Sequence, residues 1–168
     1  MALMTALAKG TRAPDFTLSG ADGKSSVTLK GLLDGKGAVL AFFKKECPTC
    51  QLEFPFVERM AKALKEKGVH LLGIGQNPAG DVRAFAKDHG CTFPMATDAE
   101  PYATSAAYGL THVPTLFLVE PSGTIRRTEV GFSKANLEAF LKEACALAGA
   151  TAPPLFRPAD DAPDTQPG

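Results

Sequence analysis

Six consecutive apolar residues, Ala38-Val39-Leu40-Ala41-Phe42-Phe43, lead through Lys44-Lys45-Glu46 into Cys47-Pro48-Thr49-Cys50. An apolar run this short, without polar alternation, predicts a central strand covered on both faces, and such a strand needs helices on either side of its sheet. The stretch after it has helical periodicity, with Leu52, Phe56, Met60, Ala63 and Leu64 at three- and four-residue spacings. The two cysteines therefore stand one helical turn apart at a strand-to-helix junction, where a dithiol can close to a disulfide and reopen.

The 168 residues are enough for one domain with a full core. Lys plus Arg and Asp plus Glu are both 18, and no basic stripe suits a phosphate backbone, so nucleic acid is not expected as a partner. No apolar stretch reaches the roughly 18 residues of a membrane span. Residues 1–8 are apolar and end in Ala6-Leu7-Ala8, but they have no basic start and are too short for a secretory signal. Four cysteines with only one spaced pair fit a reducing compartment better than a disulfide scaffold. The expectation is a cytoplasmic protein without a membrane partner, monomeric or weakly dimeric.

Phe16-Thr17-Leu18 and Val27-Thr28-Leu29 flank the turn-rich Ser19-Gly20-Ala21-Asp22-Gly23 and predict a β-hairpin. One helical turn is expected over 29–34, a helix over 48–66, a strand over 69–75 and a helix over 79–88. An extended piece over 92–97 should end at Asp98, capping a helix over 99–108. Two strands, 115–119 and 124–130, are joined by Glu120-Pro121-Ser122-Gly123, and a helix closes the domain over 134–147. A βαβ half followed by a ββα half makes an α/β fold with a mixed central sheet flanked by helices. The organisation read from this is an N-terminal extension (1–9), one domain (10–150) and a tail (151–168). With five prolines and three aspartates, the tail is expected to be disordered or loosely docked, with Leu155 and Phe156 its only anchors.

Three further motifs accompany the dithiol: Gly10-x-x-Ala13-Pro14-Asp15-Phe16-Thr17-Leu18, Cys50-x-x-Glu53-x-Pro55, and Tyr108-Gly109-Leu110-x-x-Val113-Pro114-Thr115-x-Phe117-Leu118-Val119. Together they resemble the thioredoxin superfamily over residues 10–148, in the branch that holds the extracytoplasmic thiol-disulfide reductases of TlpA and ResA type and the AhpC/TSA peroxiredoxins. The resemblance implies a thioredoxin-like fold with an N-terminal β-hairpin and an inserted βα unit over about residues 76–98. It implies that Pro114 is a cis-proline facing the dithiol and that Val113 offers its backbone to a substrate strand. It also implies that Pro55 kinks its helix. The chain departs from the pattern in having Glu46 where thioredoxins carry Trp, and Ala41 where they carry a buried acid, so that proton acceptor is either missing or replaced by Glu53 or Glu46. Peroxiredoxins place threonine where Cys47 falls and keep an arginine near Val113-Pro114, which is absent here.

At the N-cap, the sulfur of Cys47 would face free N–H groups and the positive end of the helix dipole. Its pKa is expected to fall from about 8.5 into the range of about 3.5–7.5. Cys47 would then attack a disulfide and Cys50 would resolve the adduct. Pro48 suits the first helical position. Pro48, Thr49, His112 and Val113 are the candidate substrate contacts. Glu53 is either a proton shuttle for Cys50 or a solvated helix residue. A zinc site would need a second ligand pair, and Cys91 and Cys145 stand alone, so no metal or cofactor is expected and both read as small buried residues. Arg126 and Arg127 are expected to face solvent.

The function read from this is a disulfide reductase acting on protein or small-molecule disulfides, fed by a donor of thioredoxin reductase or glutathione type and contributing to redox homeostasis and antioxidant defence. The alternatives are a thiol peroxidase with Cys50 peroxidatic and a redox-inert binding module.

Overall fold

All six residues of β3 (Ala38–Phe43) are fully buried, as a strand with helices on both faces must be. A computed structural model describes residues 5–168 around it. Residues 1–4, and with them the first part of the predicted extension, lie outside the described residues. Before β3 come the hairpin β1 (Thr17–Gly20) and β2 (Ser26–Thr28) and the single turn α1 (Leu29–Leu32); after it come α2 (Pro48–Lys65), β4 (His70–Gly75), α3 (Ala79–Asp88) and β5 (Met95–Thr97). The second half is α4 (Ala103–Ala107), β6 (Thr115–Val119), β7 (Ile125–Val130), β8 (Phe132–Ser133), α5 (Lys134–Leu147) and β9 (Thr165–Gln166).

Seven strands form one mixed sheet in the order β2-β1-β5-β4-β3-β6-β7. β3 pairs parallel with β4 and antiparallel with β6, and the inserted α3–β5 unit joins the hairpin to the sheet through β1. This is the thioredoxin-like arrangement that the resemblance implied. Alternation along β3 divides the core between two faces. Val39, Ala41 and Phe43 pack with Phe54, Met60, Phe85 and Phe140 on one side, while Leu40 and Phe42 pack with Phe16, Tyr108 and Phe117 on the other.

The rings of Phe43, Phe54 and Phe85 lie 4.4–5.2 Å apart, tying β3, α2 and α3 together beneath the dithiol. Such pairs add about 0.5–1.5 kcal/mol each beyond the area they bury. Gly75 makes this approach possible, since a Cβ there would lie 2.7 Å from Val82 and 2.8 Å from Phe43.

The helix predicted over 99–108 begins only at Ala103. Pro101, preceded by a cis peptide, and Tyr102 at φ 62 carry the chain around a turn first, because a residue before proline disfavours helical geometry. Asp98 still caps, accepting from the N–H groups of Thr104 (3.2 Å) and Ser105 (2.7 Å). α2 runs through Pro55 as one element. No helix among the described residues is long and apolar enough to cross a membrane.

The tail, expected to be disordered or loosely docked, is held on the domain at several separate points. Leu155 is buried, and Glu138 of α5 accepts from the backbone N–H groups of Leu155 and Phe156. Phe156 packs with its ring centroid 4.7 Å from that of Phe56, the two rings tilted, and Arg59 of α2 forms a bidentate pair with Asp160 at 2.7 and 2.9 Å. Farther along, β9 pairs with β8. A segment poor in apolar residues docks here through charged and hydrogen-bonding partners that α2 and α5 present to it.

Candidate active site

β3 ends at Phe43, and the turn after it aims the first residues of α2 past the edge of the sheet. Asn77, at the end of the adjacent β4, fixes this turn. Its Oδ1 accepts from Lys45 N–H at 2.8 Å, and its Nδ2 donates to both oxygens of Glu46 at 3.1 and 3.2 Å. The amide of Asn77 holds the Glu46 carboxyl below its ordinary pKa. Glu46 is therefore an exposed, paired loop carboxylate and not the buried proton acceptor.

Cys47 caps α2 with extended geometry (φ −80, ψ 115), Pro48 takes the first helical position, and the Cys47 Sγ accepts from the N–H of Cys50 at 3.2 Å. Pro48 costs nothing there because its missing N–H would have had no helical partner. Cys47 is partly exposed; Cys50, one turn on, is completely buried. Both thiols are free. Burial, with the hydrogen-bonded Cys47 sulfur adding to it, pushes the Cys50 thiol far above its usual pKa.

The peptide between Val113 and Pro114 is cis, and this loop faces the dithiol: the Cys47 thiol donates to the Val113 carbonyl at 3.3 Å. Pro114 itself is buried, and Gly131 N–H donates to its carbonyl. Thr115 Oγ1 donates to the His112 carbonyl at 2.8 Å and shapes the loop, leaving the His112 ring exposed. Cys47, Pro48, His112 and Val113 line one cleft of about 490 Å³ with Gln76, Leu110, Thr111 and Gly168. Thr49, a candidate substrate contact, does not line this cleft. It is buried, and its hydroxyl donates to Pro167 O (2.6 Å) and accepts from Gln166 Nε2 (2.9 Å).

Glu53 is completely buried beside Cys50, and neither carboxyl oxygen has a hydrogen-bond partner. Burial raises its pKa well above the ordinary range, and Glu129 pushes in the same direction. Glu129 stands opposite Leu116 on β6, which stands opposite Ala41 on β3, so it shares the sheet row and face of Ala41. The acid absent from β3 is thus supplied by the helix, with a second carboxylate two strands away. Arg127 does not face solvent freely, since it pairs with Glu129 at 2.6 Å and Glu143 at 3.6 Å; Arg126 pairs with Glu120.

Cys145 is buried as expected, but Cys91 only partly so. Burial, with Glu58 nearby, pushes the Cys91 thiol up to about 12, and burial also raises that of Cys145. Among the described residues no three His, Cys, Asp or Glu side chains gather as a metal site. Gln76, Asn77, Glu129 and Gln166–Gly168 were missed from sequence. Gln76-Asn77-Pro78 had a usable signal, a polar group at the carboxyl end of a parallel strand, where α/β sites form.

Comparison with known proteins agrees with this geometry. The chain matches the AhpC/TSA family over residues 9–128. It is 33% identical over 130 residues to the thiol-disulfide oxidoreductase ResA of Geobacillus thermodenitrificans, covering 76% of this chain and 72% of that protein. Its counterpart in Bacillus subtilis is 32% identical over 127 residues, 74% of this chain and 69% of its own. A crystal structure from Chlorobium tepidum, described as a thiol:disulfide interchange protein DsbE, superposes with a TM-score of 0.76 at 31% identity, covering 86% of this chain and all of the other. The peroxidoxin BcpB of Mycobacterium tuberculosis shares the fold at 21% identity, with a TM-score of 0.70 over 85% of this chain and 97% of its own.

Proposed function

The chain belongs to the AhpC/TSA family, and we propose that it is a thiol-disulfide oxidoreductase that reduces disulfides, with Cys47 attacking and Cys50 resolving. The observation that carries this reading is the asymmetry of the pair: one sulfur opens on a cleft and accepts a helix N–H, while the other is wholly buried one turn further in. The Cys47 sulfur stands at the N-terminus of α2 with the N–H of Cys50 directed at it, on the side of the helix that opens to the cleft.

The thiolate of Cys47 attacks one sulfur of the substrate disulfide; a new S–S bond forms as the substrate bond breaks, and the leaving sulfur takes up a proton. Cys50 gives up its proton, attacks the Cys47 sulfur and releases the second substrate thiol. Two electrons have then passed to the substrate and Cys47–Cys50 is a disulfide. A thiol donor of thioredoxin reductase or glutathione type returns them. Glu53, buried beside Cys50 with neither carboxyl oxygen otherwise partnered, is the group through which a proton can pass to or from Cys50, accepting it only as the carboxylate. Val113 and His112 form the wall against which the substrate disulfide is set, and Pro114, buried behind them, holds that loop in place. A reducing cytoplasm, which the cysteine usage favours, would keep the pair as the dithiol and suit a reductase acting as a monomer or weak dimer. Redox homeostasis and antioxidant defence would be the cellular outlet of that activity.

Measuring the reduction potential of the Cys47–Cys50 couple together with reduction of insulin disulfides tests the reading. A potential at or below the glutathione poise with sustained reduction supports it; a strongly oxidising couple would make the protein an oxidant or isomerase instead.

A further inference from the structure

Residues 164–168 cross the mouth of the site. β9 pairs antiparallel with β8, Gln166 opposite Phe132 and Thr165 opposite Ser133, and the backbone N–H of Lys134 donates to Asp164 O at 2.9 Å. The next residues reach the dithiol itself through the Thr49 hydroxyl, which binds both Pro167 and Gln166. Gly168 then lies against the Val113–Pro114 peptide so closely that a Cβ on it would collide with the Val113 carbonyl oxygen. A segment of this chain therefore occupies the place beside Val113 that an incoming extended strand would need.

The hold on this segment is uneven. Residues 155–160 are anchored by buried Leu155, by Glu138 and by the Arg59–Asp160 pair. Among the described residues no hydrogen bond is made by Asp161, Ala162 or Pro163. Beyond them, residues 164–168 rest on a two-residue ladder, the Lys134 N–H, the Thr49 hydroxyl and the contact of Gly168 with the Val113–Pro114 peptide.

We propose that residues 164–168 form a releasable strap that sets the substrate class of the dithiol. With the strap seated, the cleft beside Cys47 admits small-molecule disulfides; a protein disulfide presented on an extended strand reaches Cys47 only after the strap lifts about 161–163. Thr49, between the two cysteines, is the latch. The proposal rests on Cys47 being the exchange nucleophile.

Two full-length variants test it. Gln166→Pro removes the side-chain amide from Thr49 and cannot donate in the β9 ladder. Gly168→Val places a bulky Cβ against the Val113 carbonyl and pushes the end of the strap away. Each should raise the rate of insulin reduction relative to oxidised glutathione reduction by about tenfold, the effect of losing one or two hydrogen bonds from the closed state. Alkylation mapped to Cys47 gives a second readout that needs no turnover. A polyethylene-glycol maleimide should react about tenfold faster in the variants, and iodoacetamide less than about twofold faster.

Unchanged ratios and unchanged bulky-reagent rates in both variants would overturn the strap. So would a relative loss of insulin reduction, which would make these residues part of the protein-binding surface. Size-dependent alkylation in a protein that reduces neither disulfide would leave the strap standing and remove the reductase reading.

Discussion

The Cys47 Sγ lies 3.3 Å from the carbonyl oxygen of Val113, joining the first turn of α2 to the loop before β6 across 66 residues of chain. The thiol satisfies both contacts at once, donating to that carbonyl while accepting from Cys50 N–H. A Cys47 sulfur bonded to a substrate sulfur has no proton to donate and so gives up the first contact. The Val113 carbonyl would then be left to the backbone of the entering substrate.

The roles of the two cysteines separate by substitution. Cys47→Ser should abolish turnover, and Cys50→Ser should accumulate a mixed disulfide on Cys47 that mass spectrometry detects, because only Cys47 reaches the cleft. Adducts on Cys50 in Cys47→Ser would reverse the assignment.

Glu53 makes stability depend on pH in a defined direction. Its folded pKa is raised, so the native state keeps a proton that the unfolded chain has already lost, and stability falls as pH rises from the ordinary Glu range through the raised value. The slope reaches at most about 1.4 kcal/mol per pH unit. Glu53→Gln should flatten denaturant midpoints over this window and slow resolution by Cys50 roughly 10²-fold. A variant with the wild-type slope would show that Glu53 does not carry this titration.

Phe54, between β3 and α3 with no exposed surface, holds the dithiol helix down. Phe54→Ala should cost about 3–5 kcal/mol in urea unfolding. A loss under about 1 kcal/mol would mean that the aromatic trio is not what seats the helix.

Peroxide should be a poor oxidant for this protein. Cys50 is wholly buried, and Arg127 is committed to Glu129 and Glu143, so Arg127 is not free to polarise an O–O bond beside that sulfur. Stopped-flow mixing should give only the slow, non-saturating rate of an ordinary thiolate; rapid saturable sulfenic acid on Cys50 would overturn this.

What was legible in the chain is what depends on near neighbours. The apolar run of β3, the spacing on α2 and the bounds of α5 all follow from periodicity over a dozen residues. The burial of Glu53 was not legible, because the carboxyl sits on a helix face whose covering comes from β7 and α5. Asn77 meets Glu46 across 31 residues and Thr49 meets Pro167 across 118, pairings that no local pattern encodes. The tail misled for the same reason: its composition describes a chain alone in water, whereas Arg59 and Glu138 were waiting for it.

Moving the buried acid from the sheet to the helix changes what can go out of register. Cys50 and Glu53 are three residues apart on one helix, so their separation is set by helical pitch and not by how α2 settles on the sheet. If α2 tilts when the disulfide forms, the thiol carries its proton partner with it as one rigid cartridge. Substitutions that loosen the contact between helix and sheet would then shift where the sulfur sits without uncoupling it from its base.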